Sequence, residues 1–264
     1  MPSETLQILT ADGRADAFVA FPDDGRPHPG VLLYTDAFGV RPELEGKARE
    51  LAEHGYYVLV PNFYYRHGPA PVFELPEHIG EETRPVLIAR ALSWIKEHTP
   101  ERILRDADAY LSFLTTRPEV GAGPVAVVGY CFGAVLAMRT AAAHPEQVAA
   151  VAGFHPGALV TDAPDSPHRH AATLTAQVHL GLAEGDLSSD AISELNRSLD
   201  AAGVDYTIEV YPGTRHGFTM SDTDAFDPSG LRRHWEELLK LLNRTLPNSS
   251  MRWRNQPGNT FTAG

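Results

Sequence analysis

The stretch VAVVGYCFGAVLAM, residues 125–138, decides how this chain folds. Its first six residues are apolar and rich in Val, as expected of a strand covered on both faces. From Cys131 onward the pattern changes to small and apolar residues that suit a helix, which Pro145 stops. Gly129 and Gly133 flank Cys131 at two residues on either side. A strand that turns at once into a helix, with glycines around the turn, is the setting of a G-x-nucleophile-x-G elbow. The glycines permit a tight turn and close helix–strand packing. The turn lifts Cys131 to the carboxyl edge of a sheet, where open α/β sheets bind ligands. The helix start adds unpaired N–H groups and a positive dipole end, both favourable to a thiolate or an oxyanion.

Outward from this stretch, short apolar runs alternate with helical periodicity. LQILT and DAFVAF read as an opening antiparallel pair joined through Asp12-Gly13. GVLLYT (30–35) and YYVLVP (56–61) read as buried strands around a helix that Pro42 starts and Gly55 ends. Residues 62–80, rich in Pro, Gly and aromatics, read as a loop or lid. Helices follow at about 83–98 and 101–116. Strands are expected at 148–154, 176–183 and 205–211, a Pro/His-rich connection at 155–175, and helices at about 189–202 and 228–243. This β-α-β rhythm predicts one doubly wound, mostly parallel α/β sheet with helices on both faces, filling a single domain over residues 1–246. The composition of 247–264 predicts a mobile tail.

An elbow nucleophile needs a base and a group that orients the base, in the chain order nucleophile, acid, histidine. Asp186, in GLAEGDLSS, and His216, in YPGTRHGF, each follow a predicted strand and keep that order. Each has a plainer alternative: Asp186 as a turn or cap residue with Glu184 as its substitute, and His216 as one solvated histidine among 12. Cys131 itself, judged without its context, would be a small buried hydrophobe.

Bulk composition excludes several classes. The net charge is −12 and no long Lys/Arg run exists, so a nucleic-acid surface is not expected. A single cysteine leaves no intrachain disulfide and no Cys-rich zinc site. The N-terminus has no basic and apolar signal pattern, and the longest apolar stretch is too short to span a bilayer. These features predict a cytoplasmic protein with no membrane partner, a monomer or homodimer.

Taken together, GYCFGA (129–134), GLAEGD (181–186), RHGF (215–218), DAFGV (36–40) and VPNFYYR (60–66) resemble the corresponding segments of the dienelactone hydrolase family. The resemblance covers roughly residues 5–245 and implies an α/β-hydrolase fold. It implies hydrolysis of a small carboxylic ester or lactone through a thioester, with Cys131 as nucleophile, His216 as base and Asp186 as its partner. It further implies an oxyanion hole from the N–H groups of Ala37 and Phe132, and no metal or organic cofactor. The family has a Glu at the position of Asp36 that contacts the resting thiol; the shorter Asp36 is expected to modulate Cys131. The family's carboxylate-binding arginine, four residues after the histidine, is replaced by Met220. That replacement favours a neutral or differently shaped ester over an anionic lactone, with Arg66, Arg84, Arg90 and Arg215 as candidate substitute cations. Phe38, Tyr64 and Met220 are expected to bind substrate, in a pocket also lined by Phe63 and Tyr65.

Rival readings are a binding or regulatory scaffold of the same fold without turnover, and a thiol sensor lacking a resolving cysteine. A metal hydrolase using His168, His170 and His155 has no spacing that suits a helix-face ligand pair.

Overall fold

The computed structural model describes residues 1–246, so the expected tail lies outside the described residues. Eight strands form one sheet in the order β1-β2-β4-β3-β5-β6-β7-β8. They are β1 (Ser3–Thr10), β2 (Gly13–Ala20), β3 (Gly30–Tyr34), β4 (Tyr57–Pro61), β5 (Val125–Tyr130), β6 (Val148–Phe154), β7 (Gln177–Ala183) and β8 (Tyr206–Tyr211). β1 and β2 are antiparallel, β2 meets β4 antiparallel, and all pairs from β4 to β8 are parallel. This is the mostly parallel α/β-hydrolase sheet that the sequence predicts.

The apolar strand runs split between two cores, because alternate side chains point to opposite faces. Leu32, Tyr34 and Val127 join α3 (Pro100–Thr116), α4 (Phe132–Ala143) and α5 (Ser189–Ala202) on one face. Val31, Leu33, Val128 and Tyr130 join α1 (Pro42–Glu53) and α6 (Pro228–Thr245) on the other. Helix ends follow local chemistry. Pro42 and Pro100 occupy first turns, Ser188 and Asp227 accept N-terminal N–H groups, and Gly203 closes α5 at φ 68°.

α2 (Arg84–Ile95) is different: Ala91 is its only fully buried residue, while Leu92 is 48% exposed. Ala91 lies in the first core and Ile88, Trp94 and Ile95 pack against it only partly buried, so α2 keeps apolar surface facing outward. Residues 62–80 contain one 3₁₀ turn and are packed down as a loop. Phe63, Tyr64, Phe73 and Ile79 are buried, and the Asn62 amide bonds Asp16 and the Gly68 carbonyl at 2.9 Å each.

The sheet order reverses beside β3, whose neighbours are β4 and β5, and a crevice opens there at the carboxyl edge. Tyr34 pairs with Gly129, so the loop after β3 and the turn after β5 emerge side by side. Their contact leaves no room for side chains. A Cβ on Gly129 would overlap the Gly133 carbonyl, and one on Gly133 would lie 2.6 Å from Tyr34 O and overlap Thr35 O. Replacing Gly133 by Ala is expected to cost about 3 kcal/mol or more, since main-chain atoms must move. Chemical denaturation of Gly133→Ala beside wild type reads this directly; a loss within 1 kcal/mol would contradict it.

Candidate functional site

Cys131 sits between β5 and α4 with φ 54° and ψ −118°, an unusual conformation for a residue with a side chain. Its own N–H is held by the Phe154 carbonyl at 3.1 Å. His216 follows β8, and its Nε2 lies 3.1 Å from Cys131 Sγ. On the other side of the ring, Nδ1 lies 2.7 Å from Asp186 Oδ1. Asp186 follows β7; its side chain is 1% exposed, and its Oδ2 accepts the Ala183 N–H at 2.6 Å. The three residues thus converge from three strand ends. Glu184 points elsewhere and accepts the Gly213 N–H at 2.9 Å, tying the loops after β7 and β8 together.

The charge balance at His216 is informative. Burial opposes an imidazolium, but hydrogen bonds and charge from Asp186 and Cys131 outweigh it and push the ring's pKa up to about 10. The segment carrying His216 is held from three directions. Arg84 Nη2 donates to the His216 carbonyl at 2.7 Å, Lys47 Nζ donates to the Thr219 carbonyl at 2.7 Å, and His155 Nε2 lies 2.8 Å from Thr219 Oγ1. His155 packs edge-on against His216, and burial followed by the charge of His216 holds its own pKa well below the ordinary imidazole range.

The loop after β3 brings Ala37 to the turn at Cys131. Asp36 takes the Phe38 N–H at 3.0 Å on its side chain and the Gly39 N–H at 3.1 Å on its carbonyl. The Ala37 N–H donates to no described group. Phe132, at the first position of α4, likewise has an N–H that the helix cannot satisfy. Tyr64 donates its hydroxyl to the Ala37 carbonyl at 3.0 Å, holding the Ala37–Phe38 peptide, while the Gly39 N–H on the Asp36 carbonyl holds the preceding peptide, the one that carries the Ala37 N–H.

Several expected residues occupy other roles. Asp36 does not bond Cys131: both its carboxylate oxygens accept from Arg41, at 2.6 and 2.9 Å, and Arg41 also pairs with Asp222 at 2.6 Å. The shorter side chain, with a guanidinium five residues away, makes a structural ion pair instead of a thiol contact. Tyr64 is fully buried behind the Ala37 loop and lines neither cavity at Cys131, and the same holds for Phe63 and Tyr65. Phe38 and Met220 do line a cavity there, a small one of about 20 Å³ that also borders His155 and Thr223.

A larger cavity of about 560 Å³ shares Cys131 and His216 and runs between α2 and α4. Its walls are mostly aliphatic, with Phe132 beside the thiol, and residues 157–167 complete them. Arg84 borders both cavities, so a cation stands at the site although Met220 replaces the expected arginine. Arg66 is held by Asp12 and Asp106, Arg215 by Glu81, and Arg90 covers Phe73 and Trp94. The Arg84-Ile88-Leu92-Ile95 spacing, which sets these residues on one face of α2, is the sequence signal that points to this wall. His155 carries no such signal, because β6 alone delivers it. Among the described residues no set of three or more His, Cys, Asp or Glu is placed to share a metal, and His168 is bonded to Ser166 and Glu194. No described helix is long and apolar enough to cross a membrane.

Comparison with known proteins follows the same line. The model of the dienelactone hydrolase family matches residues 15–246. A protein named "Putative carboxymethylenebutenolidase" from Methylorubrum extorquens is 27% identical over 240 residues, covering 88% of this chain and 78% of that protein. A carboxymethylenebutenolidase from a Pseudomonas species is 33% identical over 143 residues, 54% of this chain and 56% of its own. A solved "Putative Dienelactone Hydrolase" from Klebsiella pneumoniae shares the fold, with a TM-score of 0.79, 21% identity and coverage of 92% of this chain and 98% of that one.

A group whose folded pKa is raised stabilises the fold fully below its unfolded pKa, and that contribution disappears as the pH rises through the folded value. For His216 the window runs from about 6.5 to about 10. The melting-temperature gap between wild type and Asp186→Asn is therefore expected to be widest near the bottom of that window and to narrow toward pH 10. A gap that stays constant across it would contradict the raised value.

Proposed function

The chain belongs to the dienelactone hydrolase family and is a carboxylic ester hydrolase of that kind; from this premise we propose that it cleaves a small ester or lactone through Cys131, His216 and Asp186, by way of a thioester. Support comes above all from His216 standing within hydrogen-bond reach of both partners, 2.7 Å from Asp186 and 3.1 Å from Cys131.

Burial is outweighed by hydrogen bonds with Asp186 and Cys131, which raise the basicity of His216, and the ring takes the Cys131 thiol proton across 3.1 Å as the reaction begins. The thiolate attacks the acyl carbon, and the carbonyl oxygen becomes an oxyanion. The N–H groups of Ala37 and Phe132 receive that oxyanion, an effect worth roughly 3–4 kcal/mol per donor. The imidazolium gives its proton to the leaving alkoxide as the carbon–oxygen bond breaks, leaving a thioester on Cys131. Neutral His216 then takes a proton from water, whose oxygen attacks the thioester. Collapse of the second tetrahedral intermediate releases the acid and restores the thiolate–imidazolium pair. Throughout, Asp186 holds Nδ1 as the donor and stabilises the cation. Asp36 and Tyr64 act indirectly, by fixing the peptides on either side of the Ala37 Cα.

Intact-protein mass spectrometry during turnover of p-nitrophenyl acetate tests this. An acid-quenched wild-type sample is expected to carry a transient acetyl group that Cys131→Ala lacks, with turnover in the variant reduced by about 10³-fold or more. A variant that hydrolyses the ester as fast as wild type would overturn the reading. An unacylated but alkylatable thiol across a broad ester panel would instead favour a binding scaffold.

A further inference from the structure

The two cavities at Cys131 differ greatly in size, about 20 Å³ against about 560 Å³. An ester has two arms, and here one meets room for little more than a methyl-sized group. The other meets a groove between two helices. Ile88, Leu92 and Ile95 face it from α2, and Phe132, Val135 and Arg139 face it from α4. Their spacings, four and three residues on α2 and three and four on α4, place each set on one helical face. The groove thus follows one face of α4 from Cys131 to Arg139, with residues 157–167 completing its wall.

Its far end is polar. Arg139 lies eight residues beyond Cys131, about 12 Å along the helix, and its side chain leans back toward the helix start. The side chain is 12% exposed, and Nη2 donates to Asp165 Oδ2 at 2.9 Å. Its Nε is buried and has no hydrogen-bond partner among the described residues. Asp165 is 43% exposed and draws solvation from water, whereas the Arg139 Nε, buried, does not have that recourse. The other buried polar side chain at this end, Ser166, is committed to Leu159, Thr161 and His168.

We propose that the preferred substrate is an unsymmetrical ester: one arm small, the other an apolar chain of about four to eight methylenes ending in a carboxylate or similar anion that Arg139 receives. The inference rests on the proposed hydrolase reading for its chemistry, but the recognition it describes is a binding property and is measured without turnover. Arg84, at the mouth of the groove, is too close to Cys131 to meet the end of such a chain, so length separates the two cations.

Calorimetric binding in Cys131→Ala protein, with monomethyl octanedioate and methyl octanoate as probes, tests the proposal. The anionic ester is expected to bind at least about tenfold more tightly. Adding Arg139→Leu is expected to erase that advantage while leaving methyl octanoate within about twofold, and adding Asp165→Asn is expected to enlarge it by releasing the guanidinium. Monomethyl butanedioate, too short to reach, should be insensitive to Arg139→Leu. Equal affinity for the two octanoyl probes, equal losses for both on Arg139→Leu, or no binding of either would overturn the proposal. An acetyl adduct on wild type combined with any of these results would leave the hydrolase reading standing alone; the expected binding without any adduct would remove that reading and keep the anion-terminated arm as a ligand.

Discussion

The close approach of Gly129, Gly133 and the main chain of Tyr34–Thr35 is the constraint from which the site follows. It brings the helix start, the end of β5 and the end of β3 within van der Waals contact. Two consequences result at once. Cys131 is held at positive φ on the rim of the sheet, and the loop carrying Ala37 is laid against the first turn of α4. Ala37 and Phe132, from two different elements, thereby border the same cavity. No side-chain interaction could set this geometry as firmly, because rotamers yield more easily than packed backbone.

Charge is distributed around that frame by a division of labour among carboxylates. Asp186 is almost wholly shielded, held by the Ala183 N–H on one oxygen and aimed at His216 with the other, so its charge is felt strongly there. Asp36, equally close to the crevice, is neutralised by Arg41 and used to shape the loop. Lys47 and Glu43 on α1 perform a similar service for the segment after His216, where Ser221 also bonds Glu43. Thus α1, which contributes no group to the reacting centre, braces both loops that do.

The parts legible in the sequence are those written in local patterns. Val125–Tyr130, the glycines around Cys131 and the loops after β7 and β8 are each decided by a few neighbouring residues, and they yield the sheet, the elbow and the chain order of the site. What escapes is decided by distant partners. Asp36 turns away because Arg41 is reinforced by Asp222, more than 180 residues later in the chain. Tyr64 belongs to an aromatic-rich segment and reads as pocket lining, yet its hydroxyl reaches the back of the Ala37 peptide. Arg139 sits in an otherwise apolar helix, and only the packing of α2 across from it reveals that its face borders a channel. α2 offered a partial clue, since an amphipathic helix with one buried residue must spend its apolar stripe elsewhere.

The clashes that forbid side chains at Gly129 and Gly133 involve main-chain atoms throughout, and none involves the Cys131 thiol. The architecture is consequently indifferent to the element at the tip of residue 131. A hydroxyl would occupy the same spot, beside the same imidazole and the same amide donors. The fold separates what must be inherited unchanged from what can be exchanged. On the proposed reading the nucleophile is thus an atom that the packed backbone does not fix, and so a lineage can change it without rebuilding its scaffold.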